Sequence, residues 1–314
     1  MLQIFKTDMN TGKLIELDEI ENHCWVNLIN PTTEEINHIV EHTNVPVEFI
    51  RDPLDNDESS RIEREDDNVL IIADFPIENT DDDVSSISFE TMPLGIIITN
   101  KVFITVCSEN SPILQSFIHQ KVRNFYTNMK TRFALQILYL ISTSYLRLLK
   151  RLNRHSDRIE KELHRSMKNK QLYDLMGIEK SLVYFVTSLK TNKVVLDKMF
   201  RQNMIRMYEE DQDLLEDVII ENRQGLEMAE IHSNILSGMM DAYASIIGNN
   251  MNIVMKFLTT VTIILSFPTM VFSFYGMNVK LPFMDNEYGW IIAIGFAVLI
   301  AIVTAIFFSR KKFF

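Results

Sequence analysis

MNIVMKFLTTVTIILSFPTMVFSFYGMN, residues 251–278, holds one charged side chain, Lys256, in 28 positions. Within it Ile253–Phe274 is long and apolar enough to cross a bilayer, for which about 20 mostly apolar residues are needed. Polar or small positions that share one face, taken with one methionine, are Asn252, Met255, Thr259, Thr262, Ser266, Thr269 and Ser273. They recur at spacings of 3, 4, 3, 4, 3 and 4, a heptad seam that keeps one helix face turned toward a common axis. The other positions are mainly Val, Ile, Leu and Phe, suited to lipid or to a second span. Two readings fit the seam. It lines a narrow wet path enclosed by several copies, or its small hydroxyl residues let membrane helices pack closely.

Toward the C-terminus, Trp290–Phe308 is a second span without any charge. The short loop 275–289 makes the two spans a hairpin in the lipid bilayer. It carries Lys280 against Asp285 and Glu287, whereas the tail 309–314 carries Arg310, Lys311 and Lys312. The positive-inside rule then puts the C-terminus in the cytoplasm, and an even number of spans puts the N-terminus there too. The chain is expected in the plasma (inner) membrane, with Tyr288 and Trp290 at the far interface. Two helices cannot enclose a channel, so transport would require a homo-oligomer, for which a closed cyclic ring is the natural form.

Toward the N-terminus the character reverses. The formal net charge of −11 comes from the first 250 residues, since the remainder is net positive, and it argues against a nucleic-acid partner. Cys24 and Cys107 are the only cysteines, so there is no disulfide framework and a reducing, cytosolic setting is expected. Residues 1–110 read as a small α/β domain, with strand-like runs at Cys24–Ile29, Val69–Phe75, Leu94–Ile98 and Val102–Cys107. Asn30-Pro31-Thr32-Thr33-Glu34 reads as a helix start, with a cap residue, Pro at the first turn and an early acid. The acidic Asn79–Asp83 reads as a turn between strands. Between Pro112 and Pro268 there is no proline and little glycine, so 111–250 is expected to form a long-helix bundle and stalk. Breaks are expected near Lys168–Lys170 and Gln202–Tyr208, with a last helix running from about Glu209 to Phe274. Phe133–Leu149 is apolar but interrupted by Gln136, Ser142, Thr143, Ser144 and Arg147, and is expected to be a buried bundle helix rather than a span.

Directly after the seam stands Tyr275-Gly276-Met277-Asn278. A Gly-Met-Asn tripeptide closing the first of two C-terminal spans, with a long helix before it and a basic tail after it, resembles the CorA family of magnesium and divalent cation transporters. Asn252-Ile253-Val254-Met255-Lys256-Phe257-Leu258 also resembles the inner end of that family's pore helix. The resemblance implies a homopentameric funnel whose pore is lined by the first span, 251–274, of each subunit. It implies that Tyr275, Gly276, Met277 and Asn278 form the selectivity filter. Asn252, Met255, Leu258, Thr262, Ser266 and Thr269 match pore-lining positions, with Leu258 at the constriction where the seam places Thr259. The cargo expected is Mg²⁺, with Co²⁺, Ni²⁺ or Zn²⁺ as alternatives. Met277 favours Mg²⁺, because the zinc-transporting branch usually departs from Met there.

The resemblance extends to a gating site. Asp217 matches a stalk acid that holds regulatory Mg²⁺ between subunits, and its partner segment, Phe49–Leu54, points to Asp52. Arg51 stands where relatives can carry a second acid. Asp55, Asp57, Glu58 or the acids of Glu209–Asp213 could compensate, although a solvated acidic surface is the plainer reading of those residues. No GxxxxGK[ST] or GxGxxG run is present, so the membrane potential rather than ATP is the expected driver. No nucleophile or paired-carboxylate context marks an enzyme. Asp55–Ser60 lacks the glycine of a calcium loop. His38 and His42 lie one turn apart without an HExxH pattern, and an exposed polar face is preferred to a zinc pair. The alternative from another class is a membrane-anchored scaffold or sensor whose hairpin only oligomerises.

Overall fold

The computed structural model describes residues 1–79, 88–165, 169–202, 204–279, 282 and 288–310. Its seven strands are β1 (Leu2–Thr7), β2 (Leu14–Leu17), β3 (Trp25–Ile29), β4 (Arg61–Glu65), β5 (Asn68–Glu78), β6 (Phe89–Ile98) and β7 (Phe103–Cys107). They form one sheet in the order β2-β1-β3-β7-β6-β5-β4. All neighbours are antiparallel except β3 and β7, which pair in parallel from Trp25–Phe103 to Ile29–Cys107. The four expected runs fall in β3, β5, β6 and β7. Sequence reading missed β1, β2 and β4. Of these, β2 and β4 are the edge strands, and β4, Arg-Ile-Glu-Arg-Glu, buries only Ile62. An edge strand needs few apolar residues, so its hydropathy signal is faint.

The near-continuous burial of β3 and β7 shows a sheet covered on both faces, the pattern of a central strand. On one face Val26, Leu28, Leu70, Ile72, Ile97 and Ile104 pack with Ile36 and Ile39 of α1 (Thr33–Thr43) and Phe49 and Ile50 of α2 (Val47–Arg51). The N-terminus of α1 differs from expectation. Thr32, not Asn30, is the cap: its hydroxyl accepts from the Glu35 amide while the Glu35 carboxylate accepts from the Thr32 amide. This capping box satisfies two orphan donors and leaves Pro31 just outside the helix.

On the other face Trp25 and Phe103 meet Phe133 of α4 (Lys130–Arg165), at ring separations of 5.1 and 4.2 Å. Phe117 of α3 (Pro112–Ile118) closes the same cluster. Phe133–Leu149 thus packs as a buried helix, as expected. Phe89 stacks near Phe185 of α5 (Asn169–Gln202), and the Asn192 amide on α5 donates to the Asp74 carbonyl. Burial pushes the Asp74 carboxyl up, against the pull of hydroxyls on Ser188, Ser60 and Thr191.

Helix α6 runs from Glu209 to Tyr275 through Pro268, and α7 from Gly289 to Arg310. The expected break at 202–208 falls between α5 and α6, whereas of the one expected near 168–170, Lys168 lies outside the described residues and Asn169 and Lys170 open α5. The chain divides into two compact units, Met1–Ser237 and Gly238–Phe314. The boundary at 110/111 therefore marks the change from sheet to helices within the first unit. The proposed turn at Asn79–Asp83 lies, beyond Asn79, outside the described residues.

Candidate ion pathway and regulatory acids

Among the described residues, two helices are long and apolar enough to cross a membrane: α6, through its C-terminal part, and α7. In the second unit the seam residues Asn252, Met255, Thr259, Thr262, Ser266, Thr269 and Ser273, and the adjacent Leu258, are all exposed. The buried positions Thr260 and Val271 lie off the seam. The hydroxyls of Thr262, Ser266 and Thr269 donate to the carbonyls of Leu258, Thr262 and Leu265 at 2.8, 2.8 and 2.9 Å. Each hydroxyl has spent its proton on its own helix, so only lone pairs remain to face outward. Three acceptor oxygens one helical turn apart suit the waters of a hydrated cation.

The helix ends at the tripeptide. The Gly276 amide donates to Phe272 O at 2.9 Å and to Ser273 O at 3.2 Å, and the Met277 amide to Phe274 O at 3.3 Å. A Cβ at position 276 would stand 3.4 Å from the Phe272 carbonyl oxygen, ordinary van der Waals contact, so closing the last turn does not by itself require glycine. The Tyr275 hydroxyl reaches the Pro282 carbonyl at 3.5 Å. Asn278 follows, exposed and with no protein partner for its amide among the described residues. Asp285 and Glu287 lie outside the described residues.

The acids singled out for regulation sit in the first unit. Asp217 is exposed on α6. Asp52 opens a 3-10 turn, Asp52–Leu54, directly after α2. Its carboxylate is not open, because Arg61 of β4 donates to it at 2.5 Å. Arg61 also pairs with Glu58 and, at 3.0 Å, with Glu63. Burial pulls the Arg61 guanidinium down, and Glu58, Glu63 and Asp52 together outweigh it, so the net shift is upward. Sequence reading looked to Arg51 for this charge, but Arg51 is exposed on α2, and Arg61 holds Asp52. The only signal available was a basic residue entering a strand after the acids at 55–58.

The other acids weighed are partly engaged. The Asp55 carboxylate accepts from the Asp57 amide at 3.0 Å. Asp211 is buried, accepts from the Tyr208 amide at 3.1 Å and lies 3.9 Å from Arg132, which also holds Glu210. Among the described residues, no group of three or more His, Cys, Asp or Glu is placed to hold a metal within one chain.

Comparison with known proteins places this architecture. The chain is 29% identical over 311 residues to the cobalt/magnesium transport protein CorA of Methanocaldococcus jannaschii, covering 96% of each chain. It is 25% identical over 169 residues to the Thermotoga maritima protein of the same name, covering 54% of this chain and 48% of that one. The complete structure of the M. jannaschii CorA magnesium transporter superposes with a TM-score of 0.84 at 27% identity, covering 100% of this chain and 99% of that one. The full-length CmaX structure shares the fold, with a TM-score of 0.74 at 14% identity, covering 98% of this chain and 96% of that one. The family described as CorA-like Mg²⁺ transporter protein matches residues 21–311, and the chain belongs to that family.

Proposed function

We propose that this protein is a divalent cation channel for Mg²⁺ uptake, working as a homopentamer in the plasma (inner) membrane with both termini in the cytoplasm. The observation that carries this reading is the exposed seam of α6, whose Thr262, Ser266 and Thr269 hydroxyls donate to carbonyls of their own helix and which leads on to Asn278. Mg²⁺ requires oxygen ligands and sheds water reluctantly. A ring of Asn278 carbonyl oxygens would accept from the ion's waters without stripping them. Neutral amides would also release the ion more readily than carboxylates, which matters because conduction fails when binding is too strong. Rings of Met255 and Leu258 would close the path by excluding water. Two charges moving down the membrane potential gain about 4.6 kcal/mol per 100 mV, so no other driver is required. The M. jannaschii relative's name couples cobalt with magnesium, which supports Co²⁺ as a second cargo. Ni²⁺ and Zn²⁺ are the remaining ions to test.

Gating follows from the acids. Asp217 of one subunit and Asp52 of the next would hold a regulatory Mg²⁺ when cytosolic Mg²⁺ is high, closing a symmetric ring. A carboxylate pair suits this hard cation. Arg61 would compete for Asp52 and weaken the site. When Mg²⁺ falls, the unscreened acids would repel and loosen the stalks. The ion can shift this equilibrium only because the closed ring alone brings both acids together.

The test is ion uptake into liposomes holding the purified protein, comparing Mg²⁺, Co²⁺, Ni²⁺ and Zn²⁺ with and without a potential. Potential-dependent Mg²⁺ uptake that falls to background in Asn278→Ala, with the oligomer intact, is expected. Undiminished flux in that variant removes Asn278 from the filter, and absence of any flux removes the channel reading.

A further inference from the structure

Helix α1 carries a feature that ion conduction leaves unused. His38 and His42 lie one turn apart on its exposed face, and their rings stand side by side, 4.3 Å between centroids with a 37° tilt. His42 Nδ1 lies 2.7 Å from the His38 carbonyl oxygen. A carbonyl oxygen can only accept, so Nδ1 carries the proton, and in the neutral ring Nε2 then keeps its lone pair. Metal-bound imidazoles are oriented in this way, with the far ring nitrogen donating to a backbone carbonyl that fixes tautomer and ring plane. The ring of His38 has no hydrogen-bond or ion partner among the described residues, and Glu34 and Glu41 share the same exposed face.

The scaffold beneath the pair is rigid. The capping box of Thr32 and Glu35 fixes the start of α1, Asn44 in a left-handed conformation ends it, and Ile36 and Ile39 anchor it in the core. The two ligands therefore need only side-chain adjustment to meet one ion. Imidazole nitrogen suits Zn²⁺, Ni²⁺, Co²⁺ and Cu²⁺, whereas Mg²⁺ prefers oxygen. The missing HExxH pattern counts against a catalytic zinc and leaves simple chelation open, which revises the reading of this pair as a polar surface.

We propose that His38 and His42 chelate one borderline divalent transition ion through one nitrogen each, at a site on the α/β part of the chain that excludes Mg²⁺. Such a site would exist whatever ion the pore conducts. Ni²⁺ is the probe, titrated calorimetrically into the full chain in detergent with excess Mg²⁺ present. One Ni²⁺ per chain is expected. Binding should weaken about tenfold or more in His38→Ala and in His42→Ala, since loss of a ligand costs no less than loss of its supporting partner. His38→Gln and His42→Gln, which keep a polar side chain on an exposed helix face, should show the same loss with an unchanged metal-free melting temperature. With Cu²⁺ as a spectroscopic substitute, paramagnetic resonance should report two coordinated imidazoles in the wild type and one in each single variant. Ni²⁺ binding that is absent, displaced by Mg²⁺, or unchanged in the variants overturns the proposal.

Discussion

Among single residues, Gly95 in β6 makes room for the turn that carries Asp52. A Cβ there would come within 2.8 Å of Pro53 Cβ and closer still to its Cγ. The 3-10 turn that carries Asp52 thus lies directly on the sheet, and only a residue without a side chain allows that approach. Gly95→Ala is expected to destabilise the fold by about 1–3 kcal/mol through overpacking, read as a lower denaturant midpoint. If Pro53 is the neighbour that suffers, Pro53→Gly, which removes both contacting carbons, should recover much of the loss in the Gly95→Ala background, and simple additivity of the two would contradict that contact. Asn278 acts differently. It is exposed and unpaired among the described residues, so Asn278→Ala should abolish uptake with little change in melting temperature.

Among the helices and strands, β4 and α6 present the two halves of the proposed gate. Arg61 enters β4 with three carboxylates around it, and each further acid in that group is uncompensated negative charge. Arg61→Gln should free Asp52 and shift Mg²⁺-dependent protection against proteolysis to lower Mg²⁺. Asp217→Asn on α6 should shift it to higher Mg²⁺ or remove it. A common titration curve for wild type and both variants would place regulation elsewhere, with Asp55, Asp57 and Asp213 the next acids to neutralise. The ion pairs are partly exposed, so their direct effect on stability should be small, on the order of 1 kcal/mol or less.

For the molecule as a whole, one chain exposes a row of apolar residues in α6 that includes Ile220, Ile231 and Ile235, in addition to the seam. Two spans per chain cannot surround a pore, so the transport reading demands association. Mass measurement in detergent or nanodiscs should give five copies. A monomer or dimer under conditions that support flux would exclude a seam-lined central path. The same particle in right-side-out vesicles should keep both termini protected, as the basic Arg310 end of α7 implies.

Local pattern was enough to settle much of this. The two spans, the seam and the long helices are written in hydropathy, period and the scarcity of proline, all properties of neighbouring residues, while the tripeptide was read through its resemblance to a family. The start of α1 was legible only to within two positions, because Asn30 and Thr32 are both competent caps and the reciprocal Glu35 bond decides between them. What joined distant parts of the chain was not legible. The parallel pairing of β3 with β7, the polar edge strands, the hold of Arg61 on Asp52 and the close approach of Gly95 to Pro53 each depend on residues that meet only after folding. The contact between the His38 and His42 rings was available as spacing, yet its meaning waited on a hydrogen bond that orients one ring. Sequence dictates which faces are apolar and where helices run; which charges neutralise each other is decided by packing, where a few ångströms separate an open carboxylate from a paired one.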